Sequence, residues 1–364
     1  MDIKKLQALV IDALEDVKAQ DIRMYDTTHL TSMFDRIAVA SGTSNRQTKA
    51  LAASVRDKVK AAGGVRDVDT LLAVEADCVL YAPIFADPSV VTRILESGKN
   101  VVTPLGWFYP PSEERNRFDA IARSAGVTLH GTGIHPGGIT ERFPLMVSAL
   151  SGSITHVRAE EFSDIRTYGA PDVIRDWMLF GRTPEEARTS IMADALGAGF
   201  RQSVHMVADE LGFAIDPEVR TTHEMAVATA PIDSPIGFID PGFVAAQRFL
   251  WEATVDGEVV ISARVNWLMG DEHLDPAWTW GPEGERFEVE VTGDPSCLTT
   301  FRKLHPHSIE EGLRRNPGVV ATAMHCVNAM PYVCAAAPGL LTYLEMPLVA
   351  GRAAPHLHRS VRQP

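Results

Sequence analysis

Apolar residues recur every three to four positions over 2–19 (DIKKLQALVIDALEDVKA), which puts Leu6, Val10, Leu14 and Val17 on one helical face with charges opposite. DIRMYDT (21–27) and DRIAVAS (35–41) read as strands. Ser44 or Asn45 caps a helix to about Ala62, stopped by Gly63-Gly64. The result is α-β-β-α over residues 1–64. From Val65 the texture changes. DVDTLLAVEADCVLYAP reads as a short helix and a buried strand. Asp87 then caps a helix that stops at Gly98, and NVVTP follows as a strand. A third unit has Ser112 as its cap, Glu113 and Glu114 in the first turn, a stop at Gly126, and a strand into Gly131-Thr132-Gly133. Three strand–helix units with short turns predict a parallel, doubly wound sheet, whose ligands sit at the C-terminal strand ends.

Beyond residue 150 the pattern becomes α+β. Residues 155–165 are strand-like and roughly 172–213 helical, and FLWEATVDGEVVISARVNWLMG is a hairpin turning at Asp256-Gly257. RFEVEVTGDPSCLTTFRKLH supplies two more strands, so a large antiparallel sheet with helices on one face is expected. Pro317 opens an apolar helix that closes near Pro338-Gly339 and must pack in a core or an interface. The expected organisation is 1–64, 65–150, 151–316, 317–351 and a frayed tail, 352–364. The fold class is α/β: a truncated or hybrid Rossmann-like parallel sheet plus an α+β antiparallel-sheet domain.

Composition narrows the setting. The chain has 364 residues, 45% hydrophobic, with a formal net charge of -13, which argues against direct DNA binding. Its four cysteines include no C-x-x-C pair and read as reduced thiols. No apolar run reaches the roughly 20 residues of a membrane span, and no signal-peptide core is seen, so the expected setting is cytoplasmic. HPH at 305–307 and HLH at 356–358 lack a third ligand, and no metal is expected.

Residues 42–47, GTSNRQ, follow a strand and open a helix as a dinucleotide-binding turn does, with Ser44 and Gln47 where G-x-G-x-x-G has its second and third glycines. Gly42, Ser44 and Asn45 could still offer N–H groups to a phosphate, or the segment is a plain capped turn. Two resemblances bear on the choice. Residues from about Val65 to Gly351, through DVDTLLAVEADCVLYAP, GKNVVTP, GTGIHPGG and NAMPYVCAAAPGLLTYLEMPL, resemble dihydrodipicolinate-reductase-like oxidoreductases, in particular the 2,4-diaminopentanoate dehydrogenase branch. Residues 1–64, through LVIDALEDVKAQDI, FDRIAVASGTSNRQTKALAASV and KAAGG, resemble the first half of the ribosomal silencing factor (Iojap) family. On this reading GTSNRQ belongs to the second family, the join lies near Gly63–Arg66, and the first Rossmann unit is missing.

The first resemblance implies a Rossmann-type domain, NAD or NADP as cofactor, hydride transfer on an amino or imino acid type substrate, and a homo-oligomer. It places Ala82, Pro83 and Phe85, with Thr103 and Pro104, at the nicotinamide half of the cofactor. The second implies binding to the large ribosomal subunit through uL14. A fusion with neither activity is the remaining alternative. From the residues themselves, GTGIHPGG is the sharpest site. Gly131, Gly133, Gly137 and Gly138 permit a tight backbone path, and His135 is presented as a catalytic proton donor or substrate-orienting group. Gly137 and Gly138 are expected to border the substrate. Glu160 and Glu161 could take a substrate ammonium, or belong to a solvated strand edge.

Overall fold

The computed structural model describes residues 3–26, 36–43, 45–61, 68–189 and 191–354. The chain divides into two units, 1–76 with 352–364, and 77–351. In the first, α1 (Ile3–Asp16), β1 (Gln20–Asp26), β2 (Arg36–Ser41), α2 (Asn45–Ala61) and α3 (Val68–Leu72) follow one another. The periodicity of α1 works as expected: Leu14 is buried, as are Ala13 beside it and Leu51 on α2. Lys58 on α2 bridges Asp12 and Asp16 on α1, and Ser54 Oγ donates to Ala13 O at 2.7 Å. β1 and β2 pair antiparallel as a two-stranded sheet. The Gly63-Gly64 stop lies outside the described residues.

The second unit opens with β3 (Cys78–Leu80), α4 (Pro88–Glu96), β4 (Asn100–Thr103), α5 (Ser112–Ala125) and β5 (Thr128–Gly131). Asp87 Oδ1 accepts from Ser89 N at 2.8 Å and caps α4; Gly98 (φ 79°) and Gly126 (φ 72°) close α4 and α5 in left-handed conformations. One expected cap moves: Ser112 is the first residue of α5, and Pro111 precedes it without a side-chain cap. The parallel sheet has the order β13-β5-β4-β3, with β13 (Gly339–Leu341) returning from the C-terminal part of the chain.

After a π-type turn (138–142) come α6 (Phe143–Ser148), β6 (Gly152–Asp164), α7 (Pro171–Asp176), α8 (Pro184–Ala187) and α9 (Met192–Leu211). The single helical region expected over 172–213 is, among the described residues, three helices; Gly181 (φ 73°) lies in the first break, and Pro184 opens α8. β7 (Arg220–Ala228), β8 (Val244–Val255), β9 (Glu258–Leu268), β10 (Leu274–Asp275), β11 (Arg286–Asp294) and β12 (Cys297–Phe301) join β6 in a seven-stranded sheet, order β10-β7-β8-β9-β6-β11-β12. Only β6 and β9 run parallel within it; the other pairs are antiparallel. Asp256 (φ 50°) and Gly257 (φ 84°) make the β8–β9 turn as expected. Phe200, Val204 and Val207 of α9 pack with Phe249, Trp251 and Val265 on one face of this sheet.

α10 (Ile309–Arg314) and α11 (Pro317–Ala335) follow. By length and composition Ile309–Ala335 could cross a membrane, contrary to the expectation that no run is long enough. It is two helices, broken at Arg315-Asn316, and α11 lies on the parallel sheet through Cys326, Ala329 and Val333, beside Val102 of β4.

Candidate functional site

Strand alternation along β6 organises the site. Val157 and Ala159 point into the core, and Glu161 and Ser163 continue on that side; Arg158 and Glu160 point the other way. The neighbours Glu160 and Glu161 therefore sit on opposite faces and cannot share a ligand. Glu160 is already committed: Arg158, Arg264 (3.3 Å) and Asn266 (3.0 Å) all donate to its carboxylate.

Glu161 is different. Its Oε1 accepts from Ser163 Oγ at 2.7 Å and Trp267 Nε1 at 3.0 Å, while Oε2 lies 3.9 Å from His135 Nε2, beyond hydrogen-bond length. Burial pushes its carboxyl above the usual range, and the two donors oppose that rise. His135 comes from the loop after β5, so this contact brings the end of the parallel sheet to β6. The imidazole is enclosed, with ring centroids 4.8 Å from Phe200 and 5.7 Å from Phe287. Its Nε2 faces Arg264 O at 3.4 Å and its Nδ1 has no partner. Desolvation pulls its pKa down to about 3. At neutral pH the ring has no imidazolium proton to give, which leaves, of the two roles expected from the sequence, the substrate-orienting one.

His305 completes the group. Its Nε2 lies 3.0 Å from Ser163 Oγ, its ring stacks on Phe287 at 5.1 Å, and its Nδ1 is also unpartnered; burial lowers its pKa to about 4. From sequence, His305 is weighed only as a metal ligand, and set aside for want of a third ligand. It reaches the site from the loop after β12, and no local pattern reports that. Where each Nε2–H is the donor, Nδ1 is a lone pair. The Glu161 carboxylate, with Oε1 bonded to Ser163 and Trp267 and Oε2 outside hydrogen-bond reach of His135, is an acceptor for N–H groups.

The glycines of 131–138 serve packing. A Cβ on Gly131 would lie 2.2 Å from Gly106 O, and one on Gly137 (φ 129°) 2.5 Å from Gly133 C. One on Gly133 would lie 2.9 Å from Pro136 O, and one on Gly138 2.9 Å from the Phe143 ring. The loop is bolted to α9 by Glu141, which accepts from Gly137 N (2.6 Å), Thr140 Oγ1 (2.7 Å) and Ser203 Oγ. Burial lifts Glu141 to about 8. Arg142 donates to Val349 O at 2.9 Å, and Thr132 bonds Tyr343, tying β5 to the segment after β13. Both partners, Ser203 and Val349, lie far along the chain, so no local pattern reports these roles of Glu141 and Arg142.

The strand ends expected to meet the nicotinamide half differ in exposure. Ala82 and Pro83 are exposed, and Phe85 is half-buried edge-on against Trp177 at 4.6 Å. Thr103 is fully buried; its Oγ1 accepts from Leu105 N and its carbonyl from Thr132 N, while Pro104 is half-buried. For the pyrophosphate half the residues present do not fit. Gln47 fills the turn: its Oε1 accepts from Thr43 N and Oγ1, both at 2.6 Å, and its Nε2 donates to Val17 O and Lys18 O. The Thr43 N–H next to Gly42, which a phosphate would use, is already bonded to Gln47. Asn45 begins α2; Ser44 lies outside the described residues.

Comparison with known proteins gives two family matches in one chain. Residues 140–359 match the model of the 2,4-diaminopentanoate dehydrogenase C-terminal domain, and residues 1–74 that of the ribosomal silencing factor during starvation. An amine dehydrogenase of Streptomyces virginiae is 27% identical over 311 residues, 80% of this chain and 83% of that protein. The ribosomal silencing factor RsfS of Chromobacterium violaceum is 56% identical over 63 residues, 17% of this chain and 52% of that protein, so the chain spans about half the length of that relative. Among solved structures, an amine dehydrogenase from Mycobacterium smegmatis shares the fold with a TM-score of 0.59 at 20% identity, over 81% of this chain and 86% of that one.

Proposed function

The chain belongs to the 2,4-diaminopentanoate dehydrogenase C-terminal domain family, and from that premise we propose an oxidoreductase acting on an amino or imino compound whose nitrogen is held by Glu161. The observation that carries this is Glu161 Oε2, on a largely enclosed side chain and without a hydrogen bond to its neighbour His135 at 3.9 Å. An ammonium there replaces lost solvation with a charge-assisted hydrogen bond, worth about 1.5–3 kcal/mol. The neutral His135 ring stands beside it, and Gly137 and Gly138 shape the loop that carries this histidine. The amine dehydrogenase relatives support this substrate class. E161Q is expected to weaken calorimetric binding of small primary amines and diamino acids by roughly 10–100-fold. Equal affinity in wild type and variant sinks the assignment.

NAD or NADP would meet the chain at Ala82, Pro83, Phe85, Thr103 and Pro104, without a pyrophosphate turn at 42–47. Titration of the full-length protein with NADH and NADPH should therefore give dissociation constants near or above about 1 mM, several kcal/mol weaker than a micromolar site. Micromolar binding overturns this.

The first 74 residues favour a second reading, association with the large ribosomal subunit, on the strength of the 56% identity. Full-length protein should co-sediment with that subunit at low salt. Absence from the fraction removes this reading and leaves the first intact.

A further inference from the structure

α9 has two faces. Phe200, Val204 and Val207 pack in the core, while Arg201, Gln202, His205 and Asp209 share another side at helical spacing. That second face is one wall of a cavity of about 590 Å³; Tyr109, Pro110 and Pro111 of the loop after β4, with the first turn of α5, form the other. A cavity of this size takes a small organic ligand. The polar groups on its walls are unequally satisfied. Arg115 pairs with Glu345 at 2.6 Å, and Tyr109 Oη donates to Asp209 at 2.8 Å. Gln202 Oε1 accepts from Tyr109 N at 3.0 Å, which leaves the Nε2 donor as its unbonded end. Arg201 and His205 make no hydrogen bond or ion pair among the described residues. A further donor beside Arg201 also lacks an acceptor. The position of a Cβ on Gly197 is 2.7 Å from Arg201 Nη1 and 3.1 Å from Trp251 Nε1, and that indole nitrogen is buried and unpartnered.

We propose that this cavity binds a small organic acid, a carboxylate or phosphate monoester, with its oxygens on Arg201, His205 and Gln202 Nε2 and its apolar body on Pro110, Pro111 and the Tyr109 ring. The donor surplus on α9 calls for a molecule that brings acceptor oxygens. Arg201 is half-buried, and its planar fork takes two such oxygens at once. Of the two carboxylates on the walls, Asp209 is held by Tyr109, and burial raises the pKa of Glu114, which favours its uncharged form. The cavity is separate from the Glu161 site. Phe200, which lies against His135, and Ser203, which bonds Glu141, are not among its lining residues.

The test titrates full-length protein calorimetrically with phenyl phosphate, benzoate and inorganic phosphate. At least one of the two aryl acids is expected to bind, the tighter of them naming the head group, and inorganic phosphate, with no body to lay on the prolines, to bind more weakly than that acid. R201M should weaken that binding by roughly tenfold or more, H205Q should weaken it less, and E161Q should bind as wild type does. No heat from any of the three probes up to about 10 mM overturns the proposal. Inorganic phosphate that binds as tightly as the aryl acids also overturns it, because the apolar wall then contributes nothing. Full affinity in an R201M that melts with wild type places the anion elsewhere, and lost affinity in E161Q places it at the amine site; either result sinks the assignment. Where R201M melts early, H205Q decides in its place, and full affinity there overturns the proposal.

Discussion

G131A is expected to abolish folding or to cost more than about 4 kcal/mol of stability. The alanine methyl would meet Gly106 O at 2.2 Å, Trp107 C at 2.5 Å and Trp107 O at 2.6 Å, all backbone atoms of the loop after β4. Side chains can swing away from a clash, but this backbone is held from several sides. Gly131 is in register with Thr103, whose carbonyl accepts from Thr132 N at 2.9 Å, and the Trp107 side chain is buried against Phe118. Relief therefore requires breaking the β4–β5 pairing or lifting Trp107 from the core. G106A is the control: its Cβ meets nothing within 4 Å, and its urea midpoint should stay close to wild type. A G131A midpoint equal to that of G106A would show the loop to be far softer than its packing indicates.

Acid is expected to unfold the protein well before most carboxylates are protonated. His135, His130 and His305 have folded pKa values lowered to about 3, 4 and 4 by burial, against about 6.5 unfolded. A lowered folded pKa gives stability that is complete above the unfolded value and lost as pH falls, because only the unfolded chain takes up the proton. At pH 5 each costs about 2 kcal/mol. Glu141, raised to about 8, and Glu285, raised to about 7, run the opposite way. Their contribution is complete below about pH 4.5 and lost as pH rises to those values. The sum places maximum stability near pH 6.5, with a steep acid limb and a shallower alkaline one. Urea midpoints from pH 4 to 9 check this, and E141Q should flatten the alkaline limb. A midpoint independent of pH between 4.5 and 6.5 would show that the buried histidines are solvated.

Local chemistry made much of the fold legible. Asp87, Gly98, Gly126 and the Asp256-Gly257 turn act through bonds and dihedral angles within a few residues of themselves, so the sequence alone determined the elements they bound. Two-residue alternation likewise separates Glu160 from Glu161 without any knowledge of the fold. The two families are also readable in the chain, through stretches such as NAMPYVCAAAPGLLTYLEMPL and FDRIAVASGTSNRQ, which fall inside the matched residues 140–359 and 1–74.

Tertiary structure decided which of those residues has chemistry left to offer. Glu160 is enclosed by arginines, and Glu161 keeps an oxygen open, because β9 and β11 present different side chains on the two faces of β6. His305 joins the site, and Glu141 holds its loop through Ser203, across sequence distances of 142 and 62 residues that no local period spans. His135 becomes a neutral core ring only because Phe200 and Phe287 close over it. Periodicity tells which side of an element is buried; what lies opposite, and whether it supplies a donor, a charge or an aromatic wall, is fixed only when distant segments meet.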